Sequence, residues 1–234
     1  MVKKAFVTGA SSKLGRVLSL SLAKSGYDML LHYNSSLKVI EDLIRKIEEV
    51  GKKADLFQMD FLQISNGLSE DFLDFISGAE VIINNASLFE RDTFSSFDAN
   101  SYTKHTTINA LIPTLIVQGA SSKITLKNVI NILDSTLNNE SFFSYSASKV
   151  LFEYLTKVMA KELAPKVRVN GLSLGYVLLD EGDVPDKLVQ KNTLMRQAIH
   201  YEQVLSTVHF ILQNESIAGS IIQLDGGAKY HQYT

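Results

Sequence analysis

The chain of 234 residues contains no cysteine. Disulfides, thiolate metal ligands and a cysteine nucleophile are therefore excluded, and a cytoplasmic location is the expectation. No apolar run reaches spanning length, so no transmembrane helix is expected. Charge of one sign is also scarce. The 23 Lys and Arg against 25 Asp and Glu leave a formal net charge of -2, and no basic field invites nucleic acid. The five histidines, His32, His105, His200, His209 and His231, lack any zinc spacing, so no metal site is expected. The basic first residues lead into an apolar run that meets Gly9 almost at once, which is too short for a secretory signal. Internal repeats and low-complexity linkers are missing too.

What is present suits one soluble α/β domain over residues 1–234, with 45% hydrophobic and 21% charged residues. Short apolar runs alternate with segments of helical period. Strands are predicted at 2–8, 27–32, 54–59, 80–84, 128–133, 167–172 and 220–224. Helices are predicted at 14–25, 39–50, 68–76, 103–118, 145–163 and 201–212. Pro113 should bend the fourth helix, because it removes an internal hydrogen bond. Residues 176–192 have weak periodicity and read either as a flap over a substrate or as an irregular surface loop. Strict alternation with continuously apolar strands predicts a doubly wound, Rossmann-like domain with a seven-stranded parallel sheet. Ligands then belong at the carboxyl ends of the strands.

The first such end reads Thr8-Gly9-Ala10-Ser11-Ser12-Lys13-Leu14-Gly15-Arg16. A dinucleotide pyrophosphate needs a tight turn, close backbone approach and a helix N-terminus aimed at it. Gly9 and Gly15 suit the turn and the packing, and Ser11 and Ser12 can donate to phosphate. An ordinary strand–helix turn is the bland alternative. The second strand ends in His32, Tyr33, Asn34 and Ser35, with no carboxylate to grip a ribose 2′-hydroxyl. Lys13 adds a positive charge, unless it is merely solvated. NADP(H) is therefore expected rather than NAD(H). Asp60, followed by Phe61, can accept from an adenine amino group. Asn85, Ala86 and Ser87, after the fourth strand, can lie beside the ribose and nicotinamide. Further along, Tyr145 and Lys149 stand one helical turn apart. An ammonium beside a phenol lowers its pKa, so Tyr145 is expected to exchange a proton near neutrality while Lys149 also holds the ribose.

The order Thr-Gly…Gly, Asn-Asn-Ala, Asn109, Tyr-x-x-x-Lys and a terminal Asp-Gly-Gly resembles short-chain dehydrogenases/reductases over nearly the whole chain. The resemblance implies a reductase or dehydrogenase of a small-molecule substrate. It also implies a homotetramer or dimer, and a proton relay in which Asn109 holds a water toward Lys149. Lys13-Leu14-Gly15-Arg16, His32 to Ser36, Asn84 to Phe89 and Asn109-Ala110 ahead of Pro113 are more specifically similar to pteridine and dihydromonapterin/dihydrofolate reductases. In that subgroup an aspartate replaces the usual serine after the fifth strand. Here Asp134 stands at that place, with Ser135 next to it. The resemblance implies a protonated Asp134–Tyr145 pair delivering a proton to a ring nitrogen, and Phe89 stacking on a flat pterin. Ser135 as the functional group and Phe89 as core are the alternatives. The loop from Asp134 to Tyr145 is shorter than is usual in the family, so whether the two side chains meet is left to the fold. Competing readings are a 3-oxoacyl thioester reductase using Ser135 and a non-catalytic NADPH sensor.

Overall fold

The computed structural model describes residues 2–64, 67–137, 140–180 and 184–231. Strand β1 (Lys4–Val7) leads into α1 (Lys13–Lys24), β2 (Asp28–Tyr33), α2 (Leu37–Glu49), β3 (Ala54–Gln58), α3 (Glu70–Ile76) and β4 (Val81–Asn84). The second half runs α4 (Ala99–Thr106), α5 (Ile112–Ser121), β5 (Asn128–Asp134), α6 (Phe143–Leu163), β6 (Arg168–Leu174), β7 (Val177–Leu178), α7 (Asp186–Asn192), β8 (Ile199–His200), α8 (Tyr201–Gln213), β9 (Ile221–Leu224) and α9 (Ala228–His231). Seven strands form one sheet in the order β3-β2-β1-β4-β5-β6-β9, and every pairing is parallel. This is the expected doubly wound domain.

The period-two alternation of the strands explains how both faces become dry. Ala5, Val7, Val81, Ile83 and Ile130 point into one buried cluster with Leu18, Leu22, Ile40, Leu43, Val204 and Val208 of α1, α2 and α8. Phe6, Ile82, Val129 and Leu133 point the other way, onto Phe72, Ile116, Phe152 and Met159 of α3, α5 and α6. Each large apolar side chain so buried stabilises the fold by about 1.5–3 kcal/mol relative to exposure. A continuously apolar strand is thus two half-cores read in alternation.

Two expectations need correction. The single helix at 103–118 is α4, a π-helical turn at Thr107–Leu111, and α5. In that turn the Ile112 N–H donates to the Thr107 carbonyl, five residues back. Pro113 has no N–H for the Asn109 carbonyl and its ring crowds that oxygen, so the backbone widens one turn earlier instead of simply bending at the proline. The stretch at 176–192 is not wholly irregular either. It contains β7 and α7, and β7 pairs in parallel with β8 in a separate two-stranded sheet. Residues 181–183 of it lie outside the described residues.

Candidate active site

The glycine loop is held from three sides. Ser12 caps α1 by accepting from the Gly15 N–H at 3.0 Å. Asn85 Nδ2 donates to the carbonyls of Thr8 and Gly9, at 2.9 and 3.2 Å, and to Ser12 Oγ. Thr8 Oγ1 accepts from the N–H groups of Asn85 and Ala86. Gly9 has φ +64°, and a side chain there would also meet Ala86 Cα at 3.0 Å. At Gly15 a Cβ would run into the Gly9 carbonyl oxygen. Both glycines are therefore required by packing, and the turn leaves the N-terminus of α1 facing outward with Ser11 and Ser12 beside it. This cradle suits a pyrophosphate. Asn85 is a brace of the loop, and Ser87 Oγ donates to Asn109 Oδ1 at 3.1 Å.

The expected 2′-phosphate donors divide. Asn34 and Ser35 are exposed at the end of β2, as a ligand would require. His32 and Tyr33 are buried. His32 Nδ1 accepts from the Gly9 N–H at 3.2 Å, Nε2 bonds the Met59 carbonyl at 2.9 Å, and the ring stacks on Phe61 at 3.9 Å. With Nδ1 accepting, the ring proton sits on Nε2. Burial pushes the His32 pKa down to about 4, against smaller opposing contributions from the Met59 carbonyl and Asp60. His32 is therefore a neutral post under the glycine loop rather than a phosphate ligand. The Phe61 ring is the buried support of that post. Asp60 spends one oxygen on the Leu62 N–H. Lys13 pairs with Asp180 at 2.9 Å, so a phosphate would have to share it with that carboxylate.

At the other half of the sheet, β5 ends on Asp134 and α6 opens two residues before Tyr145. Tyr145 Oη donates to Asp134 Oδ2 at 2.6 Å. The shortened loop therefore brings the two together. Thr136 donates to Asp134 Oδ1 twice, from N–H and hydroxyl, both at 2.6 Å. Ser135 is buried and donates to the Leu174 carbonyl at 3.1 Å, away from the phenol. Lys149, 4% exposed, donates to the Ile132 carbonyl at 3.0 Å, and its nitrogen is 5.8 Å from the Tyr145 ring centre.

This geometry reverses the expected electrostatics of the phenol. Burial, then the charge of Asp134 and the hydrogen bond to it, push the Tyr145 pKa well up. Burial also lowers Lys149, to about 8, with Asp134 acting in the opposite direction. Asp134 thus favours the protonated phenol, opposite in sign to the effect expected from the lysine. The side chain of Asn109 is committed within the protein. Its Oδ1 accepts from Ser87 Oγ and the Leu88 N–H, while Nδ2 donates to the Leu88 carbonyl and Ser148 Oγ. The side chain is saturated and buried, and it ties the loop after β4 to α6; a water toward Lys149 would have to be held by the Asn109 backbone carbonyl, to which Pro113 offers no N–H.

Phe89 is 60% exposed, so the core alternative fails. It stacks on Phe142 with centroids 4.3 Å apart and meets the Tyr145 ring edge-on at 4.6 Å. Phe142 and Asp92 escaped the sequence reading. No motif contains them, and only a bridge between the loop after β4 and the start of α6 brings them together. Tyr176 was missed as well. Its pKa is raised by burial and then by Asp134, which places it in the same electrostatic neighbourhood. Among the described residues no three His, Asp or Glu side chains converge as for a metal ion, and no helix is long and apolar enough to cross a membrane.

Comparison with known proteins agrees with this architecture. The short chain dehydrogenase family matches residues 3–183. A 3-oxoacyl-[acyl-carrier-protein] reductase of Staphylococcus epidermidis is 26% identical over 247 residues, covering 97% of this chain and 99% of its own. The crystal structure of FolM alternative dihydrofolate reductase 1 from Brucella canis, complexed with NADP, is 29% identical. It superposes with a TM-score of 0.87 over 97% of this chain and 94% of its own. Acetoin dehydrogenase from Salmonella typhimurium shares the fold at 22% identity and TM-score 0.87. With a glycine loop on the first strand, a tyrosine and lysine one turn apart after the fifth, and a family match across most of its length, this chain belongs to the short-chain dehydrogenase family of oxidoreductases.

Proposed function

We propose that the chain is an NADPH-dependent reductase of a dihydropterin or dihydrofolate, with Tyr145 as proton donor. The observation that carries this reading is the 2.6 Å bond from Tyr145 to Asp134, where most of the family place a serine, together with the diversion of Ser135 to Leu174. Similarity to the NADP complex of the Brucella dihydrofolate reductase supports both substrate class and cofactor. The absence of a carboxylate among Tyr33, Asn34 and Ser35, with Lys13 on the glycine loop, supports NADPH over NADH.

Bound NADPH supplies the hydride for such a reaction. The chain's own residues do the rest. Gly9, Ser11, Ser12 and the α1 N-terminus would hold the pyrophosphate, Lys13, Asn34 and Ser35 the 2′-phosphate, and Lys149 the ribose hydroxyls. Tyr145 holds a proton that Asp134 keeps on the oxygen until an acceptor of higher proton affinity arrives. A ring nitrogen gaining electron density is such an acceptor, and its protonation completes C=N reduction. Phe89, exposed beside Tyr145, offers its ring to a flat substrate. A phenol held protonated suits reduction rather than alcohol oxidation, which needs a base.

A second reading, reduction of a 3-oxoacyl thioester, is favoured by the full-length similarity to the staphylococcal reductase. NADPH oxidation with dihydrobiopterin, dihydrofolate and an acetoacetyl thioester separates the two. The expected result is turnover of the pterins, lost on the order of 10²–10⁴-fold in Tyr145→Phe with NADPH binding retained. Thioester turnover alone would overturn the proposal. Tight NADPH binding without any turnover would favour the sensor.

We further propose that copies of the chain associate through the outer face of α6. Phe143, Ala147, Val150, Leu151, Tyr154 and Val158 follow helical spacing on the side away from Tyr145 and Lys149. Tyr154 is 63% exposed and Val150 57%. A groove of about 930 Å³, lined by Phe94, Leu137, Phe143 and Val150, continues this apolar face.

A further inference from the structure

The catalytic helix begins badly. The residue at its N-cap is Phe142, which has no side chain able to accept from the first turn. Two other helices carry their own caps: Ser12 caps α1 and Asp98 caps α4. The missing acceptor comes instead from 52 residues upstream. Asp92 Oδ1 accepts from the Ser144 N–H at 3.0 Å, inside the first turn of α6. Its other oxygen accepts from Ser101 Oγ at 3.0 Å. The Asp92 backbone is tied to the same place, since its N–H donates to the Ser141 carbonyl at 3.2 Å and its carbonyl accepts from the Phe143 N–H at 3.1 Å.

Asp92 is only 8% exposed. Burial would raise its carboxyl, but the bonds from Ser144 and Ser101 outweigh that and hold it below the ordinary carboxylate range. A carboxylate therefore sits at the positive end of α6. Behind it stands His105, fully buried, whose Nε2 accepts from the Glu90 N–H at 3.3 Å and whose Nδ1 bonds the Ser101 carbonyl at 2.9 Å. The loop after β4 is thus fixed at Glu90 and Asp92, and the residue just before these is Phe89. The start of α6 is fixed at Ser141, Phe143 and Ser144, and the residue just after these is Tyr145.

We infer that Asp92 is a positioning residue that caps the catalytic helix from the neighbouring loop and so sets the distance between the exposed Phe89 ring and the proton-donating Tyr145. One side chain thereby couples the surface that receives the substrate to the group that protonates it. The inference rests on Tyr145 as proton donor and is independent of which substrate is reduced.

Full-length Asp92→Ala, Asp92→Asn and native protein test it by two routes. The first is amide hydrogen exchange in the NADPH complex, which needs no substrate. Asp92→Ala should speed exchange at 141–148 by tenfold or more and leave the glycine loop at 8–16 unchanged. The second is turnover, with dihydrobiopterin and an acetoacetyl thioester as probes. For whichever is reduced, kcat should fall tenfold or more in Asp92→Ala with the Kd for NADPH unchanged, and the solvent deuterium isotope effect on kcat should rise as proton delivery becomes limiting. Asp92→Asn keeps a carbonyl oxygen for the Ser144 N–H and should stay within about threefold of native. Native exchange at 141–148 in Asp92→Ala would overturn the inference. So would equal losses in both variants accompanied by weakened NADPH binding, which would mark a general loss of structure. If neither probe is reduced by native protein, the proposed substrate class fails and the exchange measurement still decides the role of Asp92.

Discussion

At the scale of single residues, the decisive feature is the chemical character of the group facing Tyr145. A serine there would be neutral, whereas Asp134 is a carboxylate within hydrogen-bond reach, and it adds to burial in raising the phenol. Asp134→Ser should lower the Tyr145 pKa, reduce pterin turnover by about 10–100-fold, and move the ascending limb of any alcohol-oxidation profile to lower pH. Identical pH profiles for the two proteins would contradict this. His32 supplies a second residue-scale prediction. Its pKa is about 4 folded and 6.5 free, so the unfolded chain binds the proton more readily between those values. Stability should therefore fall as pH drops from about 6.5 to about 4, by about 3 kcal/mol in total from this group. Asn at position 32 can keep the bond from the Gly9 N–H. Urea unfolding of His32→Asn should show a shallower acid limb than native, and parallel limbs would remove the role assigned to His32. The motif pattern identified His32 as part of the cofactor end of the sheet. Its direction, inward under Gly9 rather than outward to a phosphate, depends on Phe61 and Met59 arriving from another strand end.

At the scale of elements, the glycine loop and the catalytic helix behave differently. The loop was legible because its requirements are local. Gly15 must lack a side chain where α1 turns over the Gly9 carbonyl, and Ser12 must cap the same helix. Gly15→Ala should cost about 1–3 kcal/mol by overpacking and weaken NADPH binding, read by thermal melting and calorimetry. A native-like melt and affinity would show that the turn tolerates the methyl group. Helix α6 was legible in extent, from its apolar spacing, but not in its cap, which Asp92 provides from a distant loop. The π-helical turn around Asn109 was legible only as a disturbance. Pro113 announces that a bond is missing, yet where the backbone widens depends on the bonds Asn109 makes to Leu88 and Ser148.

At the scale of the molecule, the exposed apolar stripe on α6 is a surface that a lone soluble domain has little reason to present. Sedimentation should find the native chain as a dimer or tetramer, and Val150→Glu with Tyr154→Glu should shift it to monomer at the same concentration. A native chain that sediments as a monomer would dismiss this interface.

The sequence by itself determined the layering and the order of the sheet's chemistry. Continuously apolar strands alternating with period-3.6 helices permit little but a parallel sheet covered on both faces, and its carboxyl ends then collect Gly9, Asp134 and Tyr145. Tertiary structure alone decided the ionisation of the site and its partners. Whether Tyr145 meets Lys149 or Asp134, what the Asn109 side chain bonds, and which residue caps α6 all depend on distances of a few ångströms between segments far apart in the chain. Those distances are set by packing, and electrostatic energies inside a protein change steeply over such lengths.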